Sequence, residues 1–157
     1  VEYTSEVRNE KAHAAVYVVS RRTGRLVHWQ LPSFEAGTAE AAQKLLHENA
    51  AALAAASMCL IGRHDFATFG TDPDEGTNTV RTISRAEWIA SGDAWTFHVR
   101  ADAFLFRMVR SLVGALVRVG SGALTVERFD ALIEARDRSQ CPPIAPARGL
   151  CLDEVLF

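Results

Sequence analysis

The run FLFRMVRSLVGALVRVGSG, residues 104–122, restricts the fold more than any other part of the chain. At about 100° per residue, a helix built from it is apolar over most of its surface, through Phe104, Phe106, Met108, Val109, Leu112, Val113, Leu116 and Val117. Such a helix has to be enclosed by other elements, so a domain with a sizeable core must form around it. Arg107, Arg110 and Arg118 interrupt the run with no acid beside them, and together with Gly114 they fall within an arc of about 80°. A buried guanidinium without a partner is costly, so this stripe must meet water, a carboxylate or a phosphate.

With 157 residues, 48% of them hydrophobic and 23% charged, the chain can supply that core as one domain over 1–157. A net charge of -2 gives no global basic field, so any nucleic-acid contact has to rest on a local patch. Cys59, Cys141 and Cys151 are widely spaced and form no CxxC pair, which fits reduced thiols in a cytoplasmic protein. The arginines break the longest apolar run below the roughly 18–20 residues of a membrane span, and the N-terminus has no signal-peptide pattern. The chain starts at Val1 rather than Met, which fits a fragment or a processed chain.

Residues 1–12 are polar without clean periodicity and read as an irregular or extended lead-in. AAVYVVS (14–20) and LVHWQL (26–31), joined by RRTGR, predict an antiparallel hairpin. The Ala- and Leu-rich stretch 38–62, with Thr38 as N-cap and Gly62 as stop, predicts one long helix or two with a break near Asn49. Residues 62–78 carry Gly62, Gly70, Pro73 and Gly76 and read as a loop pinned by Phe66 and Phe69. A second hairpin comes next, 79–90 and 94–102 about Ser91-Gly92-Asp93, with Trp95, Phe97 and Val99 on one face. In its first strand Val80, Thr82, Ser84 and Ala86 alternate with Arg81, Ile83, Arg85 and Glu87. The 104–120 helix, a shorter helix from Thr125 to Arg136, a Pro142-Pro143 and Pro146 loop and a last strand LCLDEVLF complete the chain. Helices and antiparallel strands segregate along it, so the class is α+β, a mainly antiparallel sheet backed by helices.

The five histidines have neither i, i+4 spacing nor a nearby cysteine, and DPDEGTN (72–78) does not fit a calcium loop, so no metal site is expected. No phosphate-binding glycine loop and no GxSxG elbow is present, so no nucleotide cofactor and no serine nucleophile is expected. What remains is cationic. Residues 79–122 hold Arg81, Arg85, Arg100, Arg107, Arg110 and Arg118 against Glu87, Asp93 and Asp102, and arginine favours bidentate contacts to phosphate or carboxylate. Arg81, Arg85, Arg100 and Arg118 read as surface charges whose stems cover the core, whereas Arg107 and Arg110, in the first half of the most apolar helix, do not.

ADAFLFRMVRSLVGALVRVGSGALTVERFDALIEARDR (101–138) and PPIAPARGLCLDEVLF (142–157) resemble the C-terminal half of the TruA-type tRNA pseudouridine synthases, with F-x-x-x-M-V-R-x-x-V-G on a helix and A-P-A-x-G-L-x-L on the final strand. CLIGRHDFATFG (59–70) and TNTVRTI (77–83) add to the likeness, which covers 59–157 well and 1–58 poorly. The resemblance implies a cofactor-free isomerase that cleaves the N-glycosidic bond of a uridine in the tRNA anticodon arm, rotates the base and rejoins it through a carbon. It implies a homodimer with a basic RNA cleft, a nucleophilic Asp paired with Arg110, and an apolar contact from Leu150 to the flipped base; Arg107, three residues before Arg110, then reads as a phosphate or solvent contact at the same mouth.

Two features depart from the pattern. The family's Asp lies in a G-R-T-D-x-G-V-H loop, and none of the aspartates at 65, 72, 74, 93, 102, 130, 137 and 153 lies in such a loop. This chain is therefore expected to be a half that is inactive by itself. The family's Y-x-Y, whose first Tyr packs on the target base, meets Ala15 and Tyr17 here. One alignment leaves Ala15 at the substrate position, and the other makes Tyr17 the substrate contact. A non-catalytic RNA-binding module and a protein-interaction domain on the same scaffold are the alternatives.

Overall fold

A computed structural model describes residues 2–10, 13–19, 26–30, 44, 47–72, 78–91, 94–145, 147 and 150–154; for the strands before residue 44 and for 151–154 the description is of the backbone. Among the described residues seven strands form one sheet: β1 (Glu2–Glu10), β2 (His13–Val19), β3 (Leu26–Gln30), β4 (Gly62–Asp65), β5 (Val80–Ser91), β6 (Ala94–Ala101) and β7 (Cys151–Glu154). Their order is β3-β2-β1-β6-β5-β4, and β7 also pairs with β1. Every described pairing is antiparallel. β1 therefore has β6 along one edge, while β7 (at Glu2–Thr4) and β2 (at Glu6–Glu10) divide the other. The helices are α1 (Ala50–Cys59), α2 (Met108–Gly120) and α3 (Val126–Ala135), and a short 3-10 turn spans Arg138–Gln140. Helices beside an antiparallel sheet make the fold α+β, as the segregated pattern predicts.

Both hairpins form as predicted, β2 with β3 and β5 with β6, although their turns at 21–25 and 92–93 lie outside the described residues. The Ala-rich helix breaks at Asn49 (φ -103, ψ 14), and α1 begins directly after it; Thr38 lies outside the described residues. Thr125 caps α3 as predicted, its Oγ1 accepting the Arg128 N–H at 3.2 Å.

Three predictions are corrected and one is narrowed. The lead-in 1–12, read as irregular or extended, is extended and contains an interior strand of the sheet, because β1 draws its pairing from three neighbours rather than from its own apolar pattern. The 62–78 loop begins with β4, a four-residue edge strand of the polar sequence GRHD, which carries no apolar alternation to betray it. Phe66 and Phe69, both fully buried, do pin the segment after β4. In β5 the simple alternation fails at Ser84, where the register with β6 shifts between Ile83 and Arg85. One extra residue there lets Ile83 and Ala86, three apart, both face the core. Lastly, α2 starts at Met108, so Phe104, Phe106 and Arg107 are not helical.

The core is a single cluster. Phe97, Val99 and Ile83 from the sheet join Leu53 and Leu60 of α1 and its C-cap, Met108, Leu112 and Leu116 of α2, and Phe129 and Leu132 of α3. α2 is enclosed as its composition requires: of its thirteen residues only Arg110 and Arg118 are not buried.

Candidate functional site

Four segments converge at the start of α2: residues 66–72, 104–107, the first turn of the helix, and 137–145. Phe106 donates its N–H to the Thr71 carbonyl at 2.9 Å and accepts the Thr71 N–H at 3.3 Å. That bridge keeps 104–106 out of the helix. Gly70 allows the approach, since a Cβ there would lie 2.5 Å from the Leu105 Cβ. Arg107 then takes the left-handed backbone conformation (φ 62, ψ 3), which turns the chain into α2 and which non-glycine residues adopt at a cost. Its side chain is exposed, with the guanidinium carbon 4.9 Å from the centre of the Phe106 ring.

Arg110, in the first turn of the apolar helix, is half-buried. Its Nε donates to the Ala145 carbonyl at 2.6 Å, and the Ala145 N–H donates to the Arg110 carbonyl at 2.9 Å. This reciprocal pair ties the proline loop to the helix at Arg110. Burial first, and the charge of Arg107 second, press the Arg110 guanidinium below its ordinary proton affinity. Both effects penalise an unpaired cation, and an incoming anion would relieve both. Because Nε is spent on Ala145, such an anion has to be taken end-on by Nη1 and Nη2, and a side-on approach through Nε is closed. Among the described residues no carboxylate pairs with Arg110.

The loop carrying Ala145 is held from two directions. Gly114 lies one turn beyond Arg110, and a Cβ there would come within 2.3 Å of the Pro143 carbonyl oxygen. At the other end, Arg138 donates through Nη1 to the Thr68 carbonyl and to the Ser111 hydroxyl, each at 3.0 Å. Ser111 in turn donates its hydroxyl to the Arg107 carbonyl at 3.1 Å. Arg138 thus braces the entry to α2 from below, a role with no sequence signal because both acceptors are local to other segments.

Arg107 and Arg110 stand near enough for the charge of one to act on the other. Leu150 is half-buried against the core and donates its N–H to the Ala147 carbonyl at 3.3 Å. Tyr17 is placed by its backbone alone, in β2 opposite Glu6 and His28, and its side chain lies outside the described residues. The basic segment is less free than its composition suggests. Arg81, which reads from sequence as a surface charge, is only 15% exposed; it reaches Asp72 at 3.5 Å and donates to the carbonyls of Asn78 and Val80. Arg85 pairs with Glu87, and Arg118 is exposed at the last turn of α2. Burial, with Asp130 adding to it, raises the Cys59 thiol above its ordinary pKa, which disfavours a thiolate nucleophile there. Among the described residues no three His, Cys, Asp or Glu side chains gather to hold a metal, and no helix is long and apolar enough to cross a membrane.

A family model described as tRNA pseudouridine synthase matches residues 56–157, which include every segment of this site. The protein named tRNA pseudouridine synthase A of Cereibacter sphaeroides (strain KD131 / KCTC 12085) is 40% identical over 111 residues, 68% of this chain and 44% of that protein. Proteins of the same name from Xanthobacter autotrophicus and Methylocella silvestris are each 32% identical, over 94% and 98% of this chain and 56% and 58% of their own lengths. The chain spans about half the length of the curated relatives it matches. On a match that takes in β4 to β7, the end of α1, the whole of α2 and α3, and Arg110, the chain belongs to the tRNA pseudouridine synthase family.

Proposed function

We propose that these 157 residues form the C-terminal half of an enzyme that isomerises uridine to pseudouridine in the anticodon arm of tRNA, with Arg110 serving a nucleophilic Asp carried outside them. The observation that supports this most is the state of Arg110: half-buried, fixed through Nε, and with no acid beside it among the described residues. A carboxylate received end-on by Nη1 and Nη2 would be held ionised and aimed, since an adjacent guanidinium lowers a carboxyl pKa by about 1–3 units. The family's motif gives that carboxylate its role, attack during cleavage and rejoining of the glycosidic bond, without a cofactor. Leu150 would contact the flipped base, Arg107 a phosphate at the mouth, and Tyr17 the target base under the alignment that keeps a tyrosine there. The same reading carries a homodimer with a basic cleft and a cytoplasmic location, which family resemblance supports.

The test uses the purified chain and an anticodon stem-loop tritiated at the uridine carbon that receives the new bond, a carbon that must lose its hydrogen when the base is rejoined. The stem-loop is expected to shift in a gel at low salt and to be released as salt rises, with no tritium set free. Turnover by the chain alone would overturn the assignment of the nucleophile to residues outside it. Absence of any shift at low salt would overturn the RNA-binding role and favour a protein-interaction domain.

A further inference from the structure

Phe106 is 58% exposed, although Leu105 and Met108 on either side of it are 3% and 0% exposed. The ring forgoes burial that its neighbours obtain, and it does so on a fixed backbone, because its N–H and C=O are both bonded to Thr71. Arg107 adds a second unusual expenditure, a left-handed backbone angle at a residue with a long side chain, and its guanidinium lies against the Phe106 ring. Arg110 stands close enough that the Arg107 charge acts on it, and the first turn of α2 contains no acid. The result is a flat aromatic surface, rigid from beneath and edged with positive charge, beside the guanidinium assigned to the reacting centre. A flat base joined to a phosphate matches both halves of that surface, whereas an aliphatic or acidic side chain would match one.

We propose that Phe106 and Arg107 form a stacking platform for an unpaired nucleotide next to the target uridine, its base on the Phe106–Arg107 pair and its phosphate on the Arg107 guanidinium. This rests on the tRNA-modifying reading above and adds a contact that would hold the loop open while the target base is out of its stack. It would also make the nucleotide beside the target, and not only the target, a determinant of which sites are bound.

The test is binding of anticodon stem-loops carrying 2-aminopurine at successive loop positions, monitored by fluorescence, to the 157-residue chain and its variants. With the unaltered chain, emission is expected to be quenched at one loop position. Phe106→Ala and Phe106→Leu should each weaken binding about 5- to 100-fold and abolish that quenching, while Phe106→Tyr and Phe106→Trp stay within about threefold. Arg107→Gln should lower the slope of log K against log salt by about one. Because Phe106 is exposed, unchanged circular dichroism is expected for its variants and separates lost binding from lost folding. If Phe106→Ala and Phe106→Leu bind and quench as the unaltered chain does, the platform is overturned and the RNA-binding reading stands. If the unaltered chain binds no stem-loop at low salt, both fall, and the exposed ring is left for a protein partner.

Discussion

Replacing Gly114 by Ala tests whether the proline loop positions Arg110. The new methyl would lie 2.3 Å from the Pro143 carbonyl oxygen, 3.1 Å from the Ala145 nitrogen and 3.3 Å from the Ile144 Cα, all of them backbone atoms that no rotamer change can move aside. An ordinary carbon–oxygen contact needs about 1 Å more than the first of these distances, so residues 143–145 must move away from α2. A shift of about 1 Å at residues 143–145 would carry the Arg110–Ala145 Nε bond, 2.6 Å in the unaltered chain, beyond hydrogen-bond range. Overpacking costs about 1–3 kcal/mol, and loss of a hydrogen bond from a charged donor about 1.5–3 kcal/mol. The better helix propensity of alanine returns about 1 kcal/mol. The expected net loss is about 1.5–5 kcal/mol, read as a lower urea midpoint at unchanged slope. Nitrogen-15 NMR supplies the local readout: the Arg110 Nε–H should be protected from exchange in the unaltered chain and exposed in the variant. A Gly114→Ala protein as stable as the unaltered chain, with the Arg110 Nε–H still protected, would refute the clamp.

Arg138→Met should lower stability by about 2–4 kcal/mol, because it leaves the Thr68 carbonyl and the Ser111 hydroxyl short of a charged donor; unfolding in urea checks it, and Arg138→Lys should recover part of the loss. Asp102 tests the acid limb of stability. Burial raises its pKa, but the N–H groups of Thr82 and Ala103, at 3.0 and 2.8 Å, outweigh that and hold it below its ordinary 3.8. A depressed folded-state pKa gives stability that is present above the unfolded value and lost as pH falls through the folded one. Asp102→Asn should therefore flatten the fall in urea midpoint below about pH 4, and an identical pH profile in both proteins would count against those bonds.

The parts of the fold legible in the sequence are those whose signal is local and repeated. The two hairpins, the enclosed α2, the break at Asn49 and the Thr125 cap each rest on several residues in a row that favour one backbone state. β1 and β4 are not legible as strands, because a polar strand is decided by what pairs with it, and pairing is a property of other segments. Ser84 shows the same limit within a recognised strand, where one bulged residue reverses the faces that strict alternation assigns.

At the site the division is sharper, since residue type predicts a chemical group while position decides its freedom to react. Six arginines between 79 and 122 look equivalent in composition, yet Arg81 is spent on Asp72 and two carbonyls and Arg85 on Glu87. The spacing of Arg107 assigns it to the helix, and a two-bond bridge between Phe106 and Thr71 removes it. Ala145 contributes a carbonyl, which every residue possesses, so no pattern of side chains could have marked it as the acceptor that leaves only Nη1 and Nη2 of Arg110 for an anion. Gly114 is the exception that sequence could reach, as the one residue on the arginine face small enough for another backbone to lie against the helix. Its absent side chain is what admits the Pro143–Ala145 backbone, and that backbone determines the direction from which Arg110 can be approached.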